Sequence, residues 1–250
     1  CLGGRGVGTR LAHDRIPFDA DPFGPENRLV FATGPLQSST TSFTGRMSCT
    51  GLSPLTDGLL SSNAGGFLSR NFGATGYSAV ELVGESDRPV VVHVRDTGVT
   101  VEPVPDLVGA VVSSVTEYVE ERHGLGADHV VCVGPAGENR VRFASIMTSE
   151  SRAFGRGGLG AVMGAKNVKF LTFDGDSAPD PQVEGEVVQE VHKEASESSS
   201  PMKEAGTVSV TEYANSVGAL PTKYFSELSY DHAADIGSGA VIDHKYKKGT

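Results

Sequence analysis

The chain has 250 residues, enough for one large domain or two modest ones, and 21 basic against 31 acidic side chains leave it at −10. That charge, with a pI of 5.1, lacks the positive footprint of a non-specific nucleic-acid binder. Hydrophobic residues at 38% suffice for a core, but runs such as Val90-Val91-Val92 fall far short of the roughly 18 residues of a membrane helix, and the Gly- and Arg-rich start has no secretory signal.

From its beginning to about Gly175 the chain alternates short β-type runs with Gly/Pro/Asn/Asp turns. Strands are predicted at 28–32, 46–50, 79–83, 90–94, 130–133, 141–146 and 168–173. One amphipathic helix is predicted over 105–123, where Leu107, Val111, Val112, Val115 and Val119 recur at helical spacing. A second, shorter helix starts near Gly157. Many strands with few helices indicate an α+β unit. From Asp174 to Glu204 acidic residues and the Ser-Glu-Ser-Ser-Ser run at 196–200 take over, which reads as an exposed linker with some helix between 183 and 195. A globular pattern resumes at Thr207 and is too short for a core of its own, so it reads as the start of a second domain. Cys1, Cys49 and Cys132 form no C-x-x-C pair, and so sparse a count fits a reducing cytoplasm. With a start at Cys1 rather than Met, the sequence is expected to be a fragment.

Glycine accounts for 32 of the 250 residues, nearly twice its usual share of about 7%. The glycines cluster in three segments: Gly3-Gly4-Arg5-Gly6-Val7-Gly8, Asn63-Ala64-Gly65-Gly66, and Arg152-Ala153-Phe154-Gly155-Arg156-Gly157-Gly158-Leu159-Gly160. Such loops let N–H groups converge on an anion, and arginine adds bidentate phosphate recognition. The third segment combines both and points to a phosphate-bearing ligand; the alternative is a set of ordinary turns. Gly155 is expected to need a positive φ. No dinucleotide fingerprint, Walker A spacing, H-E-x-x-H or G-x-S-x-G occurs. His93 reads as a strand residue, His123 and His129 as solvated. Glu138 and Asn139, in Gly134-Pro135-Ala136-Gly137-Glu138-Asn139, read as a strand-ending turn. No acid, base or nucleophile stands out.

Taken in order, several blocks resemble one family. They are Leu2-Gly-Gly-Arg-Gly-Val-Gly8, Asp21-Pro-Phe-Gly-Pro-Glu-Asn27, Phe31-Ala-Thr-Gly-Pro-Leu36, Gly45-Arg46, Ser53-Pro-Leu-Thr56, Asn63-Ala-Gly-Gly66, Gly134-Pro-Ala-Gly-Glu-Asn139, Arg142-Phe-Ala144 and Arg152 through Gly164. Together they resemble the N-terminal domain of the aldehyde ferredoxin oxidoreductases over about residues 1–173, and Gly218-Ala-Leu-Pro-Thr222 resembles the opening of that family's second domain. The resemblance implies an α+β fold in which two β-sheets cradle a tungsten (or molybdenum) bis-pterin, followed by a mainly helical second domain. It divides the chain into 1–175, a linker at 176–205 and a second-domain start at 206–250. It implies cofactor contacts at Arg46, Asn63, Gly65, Arg152, Ala153, Gly155 and Arg156, with magnesium on the backbone carbonyls of Asn63 and Ala153. It implies aldehyde oxidation to a carboxylic acid in the cytoplasm, with electrons passing through a [4Fe–4S] cluster to ferredoxin. The cluster's ligands are expected outside this chain; no nucleic acid or membrane partner is expected, and a homodimer is left open. Leu52 departs from the lysine common before Ser-Pro-Leu-Thr. The rival is a non-enzymatic β-rich phosphate- or anion-binding module.

Overall fold

The computed structural model describes residues 2–37, 44–149, 151–177, 185–198 and 200–247. In chain order the elements of the larger unit are α1 (Gly4–Arg15), β1 (Leu29–Thr33), β2 (Met47–Leu52), β3 (Leu59–Ala64), α2 (Leu68–Ala74), β4 (Ala79–Leu82), β5 (Val90–Arg95), β6 (Gly98–Pro103), α3 (Val112–His123), β7 (Val130–Cys132), α4 (Pro135–Glu138), β8 (Ile146–Thr148), β9 (Arg152–Phe154), α5 (Leu159–Ala165) and β10 (Val168–Asp174). They build two sheets. The first is antiparallel, in the order β3-β2-β1-β4; the second runs β6-β5-β10-β7-β8-β9, antiparallel except for the β5/β10 pair. The expectation of an α+β fold with two sheets holds.

Period-2 alternation assigns the faces. Leu29 and Phe31 of β1, Met47 and Cys49 of β2, Val90, Val92 and Val94 of β5, and Leu171 and Phe173 of β10 share one core. Phe31 meets Phe154 edge to face at 5.8 Å, a favoured aromatic geometry. On the other side of the six-stranded sheet, Val91, Val130, Cys132 and Phe170 pack with Val115 and Val119 of α3. The β-branched run Val90-Val91-Val92 is therefore buried on both faces, as a central strand requires.

Several expectations need correction. The helix predicted over 105–123 is a 3-10 turn at Pro105–Leu107 followed by α3. Val108 is extended and Gly109 has φ 77, so the backbone leaves the helical region before re-entering it. The helix ends at Gly124, in the left-handed region at φ 68, whose N–H reaches Glu120 O at 2.9 Å. The strand predicted at 141–146 is mostly a turn, since Arg140 takes φ 55 and Ala144 N–H bonds Val141 O; β8 begins only at Ile146. The first Gly-rich segment is a helix, α1, not an anion loop. A Cβ at Gly8 would stand 2.6 Å from Thr50 Oγ1, so glycine there serves close helix–sheet packing.

Chain packing separates residues 1–188 from 189–250, and α6 (Gly185–Glu197) crosses that division. The linker reading at 176–205 lies partly outside the described residues, at 178–184 and 199. Where it is described it is largely helical: α6 extends to Glu197, and Ser200 caps α7 (Pro201–Ala205) by accepting from Met202 N–H. The second unit continues with α8 (Thr211–Ser216) and α9 (Ser238–Lys247). Within it Glu212 accepts from both the N–H and the hydroxyl of Ser238.

Candidate functional site

Strands β3 and β9 are each the outermost strand of their sheet, and the two edges meet. Ser62 Oγ donates to Gly155 O at 2.8 Å, and Ser53 Oγ donates to Gly157 O at 2.6 Å. These bonds pin the loop after β9 against the four-stranded sheet. The turn after β3 closes the same junction: a Cβ at Gly66 would stand 3.0 Å from Arg152 Cδ, and one at Gly65 3.5 Å from an Arg152 terminal nitrogen. Gly66 has φ 103, a conformation open to glycine and costly for other residues. Gly45, next to Arg46, approaches the Gly66 carbonyl so closely that its Cβ would sit 2.5 Å from it. Gln37 fixes the Arg46 turn by donating to the Arg46 carbonyl at 2.9 Å.

The structure thus brings the turns carrying Arg46, Asn63, Gly65, Arg152, Ala153, Gly155 and Arg156 to one sheet–sheet junction. Asn63 pairs across the strands with Ser48, and Ala153 with Met147. By alternation the Asn63 side chain lies on the face of Ser48, whereas its neighbour Ser62 faces the Gly155 loop. Arg46, Arg152 and Arg156 are exposed, and among the described residues none of them forms an ion pair. Beside Arg152 a cleft of 630 Å³ opens, lined by Gly66, Asn71, Asp128, His129 and Ser149 among others.

The expected positive φ at Gly155 is not observed; it falls on the next three residues, at φ 58 for Arg156, 90 for Gly157 and 80 for Gly158. Gly158 then caps α5, whose residues are all buried. The histidine readings also change. His93 is a strand residue as expected, but His123 packs against it, with ring centroids 4.6 Å apart and the rings tilted by 54°. His129 is half-buried and its Nδ1 lies 2.8 Å from the Phe173 carbonyl, which makes that nitrogen the donor. Glu138 does more than end a strand: it pairs with Lys169, which is 2% exposed, and accepts from Gly109 N–H at 2.8 Å. Ser62, Asn71 and His129 were missed as contributors. The one signal for Ser62 was its place beside Asn63 in a strand of alternating faces.

A polyanionic, phosphate-bearing cofactor fits this junction. Three guanidiniums without carboxylate partners among the described residues supply charge in a chain of net −10, and Gly65 and Gly155 leave backbone uncovered where a side chain would otherwise stand. Cys49 and Cys132 do not fit a metal cluster. They are separate free thiols, and burial pushes Cys49 well up and Cys132 to about 12, so neither supplies the thiolate that ligation needs. Among the described residues no three His, Cys, Asp or Glu side chains are placed to hold a metal ion, and no helix is long and apolar enough to cross a membrane.

Residues 1–175 match the family described as aldehyde ferredoxin oxidoreductase, N-terminal domain. The tungsten-containing aldehyde ferredoxin oxidoreductases of Pyrococcus abyssi and Thermococcus kodakarensis are 32% and 33% identical to it over 98% of the chain. The chain spans 41% of the length of each of these relatives. An aliphatic sulfonate oxidoreductase, WOR-like subunit, of Pyrococcus furiosus is 32% identical over 72% of the chain and 31% of its own length. Among solved structures, the active-site complex BamBC of benzoyl coenzyme A reductase, bound to 1,5-dienoyl-CoA, superposes with a TM-score of 0.66 at 31% identity, covering 70% of this chain and 27% of its own. The chain therefore belongs to the aldehyde ferredoxin oxidoreductase family and carries that family's N-terminal domain.

Proposed function

We propose that residues 1–175 bind a tungsten (or molybdenum) bis-pterin at the β3/β9 junction, for a protein that oxidises aldehydes to carboxylic acids. The observation that carries this reading is the set Arg46, Arg152 and Arg156, without ion pairs among the described residues, beside the Gly65-Gly66 and Gly155–Gly158 turns. Arg152 and Arg156 would hold one pterin phosphate through charge-assisted hydrogen bonds. Asn63 and Gly65 would line the other pterin, Arg46 would face the cofactor too, and the carbonyls of Asn63 and Ala153 would offer oxygens to magnesium, a hard cation that takes oxygen ligands. When bound, the cofactor supplies the two-electron oxidation itself. The task of this chain's residues is to bind, orient and electrically tune it. Ser62 and Ser53 keep the 155–157 loop in register with the opposing sheet, so that the arginines hold fixed positions.

In this reading a [4Fe–4S] cluster, with ligands from outside this chain, passes the electrons to ferredoxin in the cytoplasm. Residues 176–205 would connect the cofactor domain to a second domain opening at 206–250. The test is metal and pterin analysis of the full-length protein purified without air, together with aldehyde-dependent reduction of a viologen dye. Tungsten or molybdenum with pterin, and aldehyde-dependent reduction, are expected. A protein carrying neither metal nor pterin would leave an anion-binding module in its place.

A further inference from the structure

A second cavity, of 530 Å³, shares no residue with the Arg152 cleft. Its walls are mostly apolar, formed by Val80 and Leu82 of β4, Val92 of β5, Val99 and Val101 of β6, and Val168 of β10, with Glu81, Glu85 and Ser86 also lining it. One amine lines it: Lys166, at the end of α5, which is 3% exposed. Its Nζ donates to Gly84 O at 2.9 Å. That is the one hydrogen bond it makes among the described residues, although an ammonium carries three donors. Among the described residues no carboxylate pairs with it; Glu81, taken up by Arg15 and Arg28, and Glu85 line the same cavity without reaching ion-pair distance of its amine. Lys169, three residues on, is the contrast, since its amine is taken up by Glu138 and Ala110 O. A buried lysine in a largely apolar setting, without an ion pair among the described residues, is the kind that attacks carbonyl carbon.

We propose that this groove takes an aliphatic aldehyde and that Lys166 Nζ holds it as a reversible imine. The apolar walls cover the alkyl chain. The amine's lone pair forms the C–N bond, the carbonyl oxygen leaves as water carrying the two amine protons, and nothing is oxidised or reduced. Burial, reinforced by Arg28 and opposed by Glu85, holds the Lys166 pKa down to about 8. At pH 7.5 that leaves a far larger neutral fraction than the ~0.1% of an ordinary lysine near 10.4. Neither the arginine cluster nor a cofactor takes part, so failure of this proposal and failure of the cofactor reading are separate outcomes.

The experiment uses the full-length protein, incubated at pH 7.5 with hexanal and sodium cyanoborohydride, which reduces an imine to a stable secondary amine. Peptide-resolved mass spectrometry then compares Lys166 with the exposed Lys193 and Lys223. Lys166 is expected to be trapped about tenfold faster or more, given the difference in neutral amine. Labelling that follows exposure, with Lys166 trailing Lys193, overturns the proposal. A second variant keeps the test independent of folding defects: Val101 is 61% exposed on the edge strand β6, and V101Q makes the groove wall polar without a buried cost. Trapping of Lys166 is expected to fall about threefold in V101Q, consistent with the loss of roughly one apolar contact, while Lys193 is unchanged and circular dichroism stays native. An unaltered rate at Lys166 in V101Q would show that the groove does not deliver the aldehyde, and would equally overturn it.

Discussion

A side chain added at Gly155 would meet nothing nearer than Ser145 Oγ at 3.7 Å, whereas at Gly158 it would overlap the Arg142 carbonyl. Gly158 also sits at φ 80, where an L side chain costs about 1–2 kcal/mol before any clash. Gly158→Ala adds overpacking, typically about 1–3 kcal/mol. Urea titration of that variant is expected to show a loss of about 2–5 kcal/mol; a midpoint equal to that of the parent would mean that the α5 cap relaxes freely. The sequence showed that glycines cluster here, because Gly-rich loops announce themselves by composition. It did not show which glycine is structural. That depends on the Arg142 carbonyl, sixteen residues away along the chain from Gly158, and on φ values that the run Gly155-Arg156-Gly157-Gly158 leaves undetermined.

At the scale of elements, the contact between β5 and α3 has its own pH dependence. His93 on β5 is 1% exposed; its Nδ1 lies 2.6 Å from Thr172 Oγ1 on β10, and its Nε2 has no partner among the described residues. Burial, then the charges of His123 on α3 and Arg95 on β5, hold its pKa down to about 4, with Glu102 on β6 pulling the other way. His123 is lowered as well, chiefly by burial. The folded protein keeps His93 neutral down to about pH 4, while the unfolded chain takes up a proton below about 6.5. This contribution to stability is therefore whole above pH 6.5 and is lost as pH falls from 6.5 towards 4, at up to ~1.4 kcal/mol per unit. Denaturation midpoints are expected to fall between pH 7 and 4.5, and less steeply in His93→Phe; equal slopes for the two proteins would count against the buried, neutral His93. The strands built from runs such as Val90-Val91-Val92 were legible because β-branched residues buried on both faces leave an unbroken pattern. β3, β6 and β9 were not legible. They lie at sheet edges, where the Ser and Asn of β3, the Arg of β9 and the flanking Gly98 and Pro103 of β6 read as turn until a neighbouring strand supplies the hydrogen bonds. The α1 helix was hidden in the same way, since Gly4, Gly6 and Gly8 lower its propensity and its packing on β2 restores what propensity lacks.

At the scale of the molecule, the net charge of −10 repels anions in general, and binding a phosphate-bearing cofactor requires a local reversal. The sheet edges β3 and β9 provide it by bringing Arg152, Arg156 and the Arg46 turn together from distant parts of the chain. The order of the blocks made the family legible; the fact that two edge strands join them could only come from the fold. Gly155 offers the most direct test, because its φ is not in the left-handed region and the protein around it leaves room. Gly155→Val should fold and still place a side chain in the space assigned to the cofactor. Arg152→Ala removes a charge-assisted hydrogen bond of about 1.5–3 kcal/mol, or about one to two decades in affinity. The measurement is tungsten and pterin content per folded, full-length protein for Gly155→Val, Arg152→Ala and the exposed control Glu120→Ala, with circular dichroism confirming the fold. Occupancy is expected to fall most in Gly155→Val, next in Arg152→Ala and not at all in Glu120→Ala; full occupancy in both cradle variants, with native spectra, would contradict the assignment of the β3/β9 junction as the cofactor site.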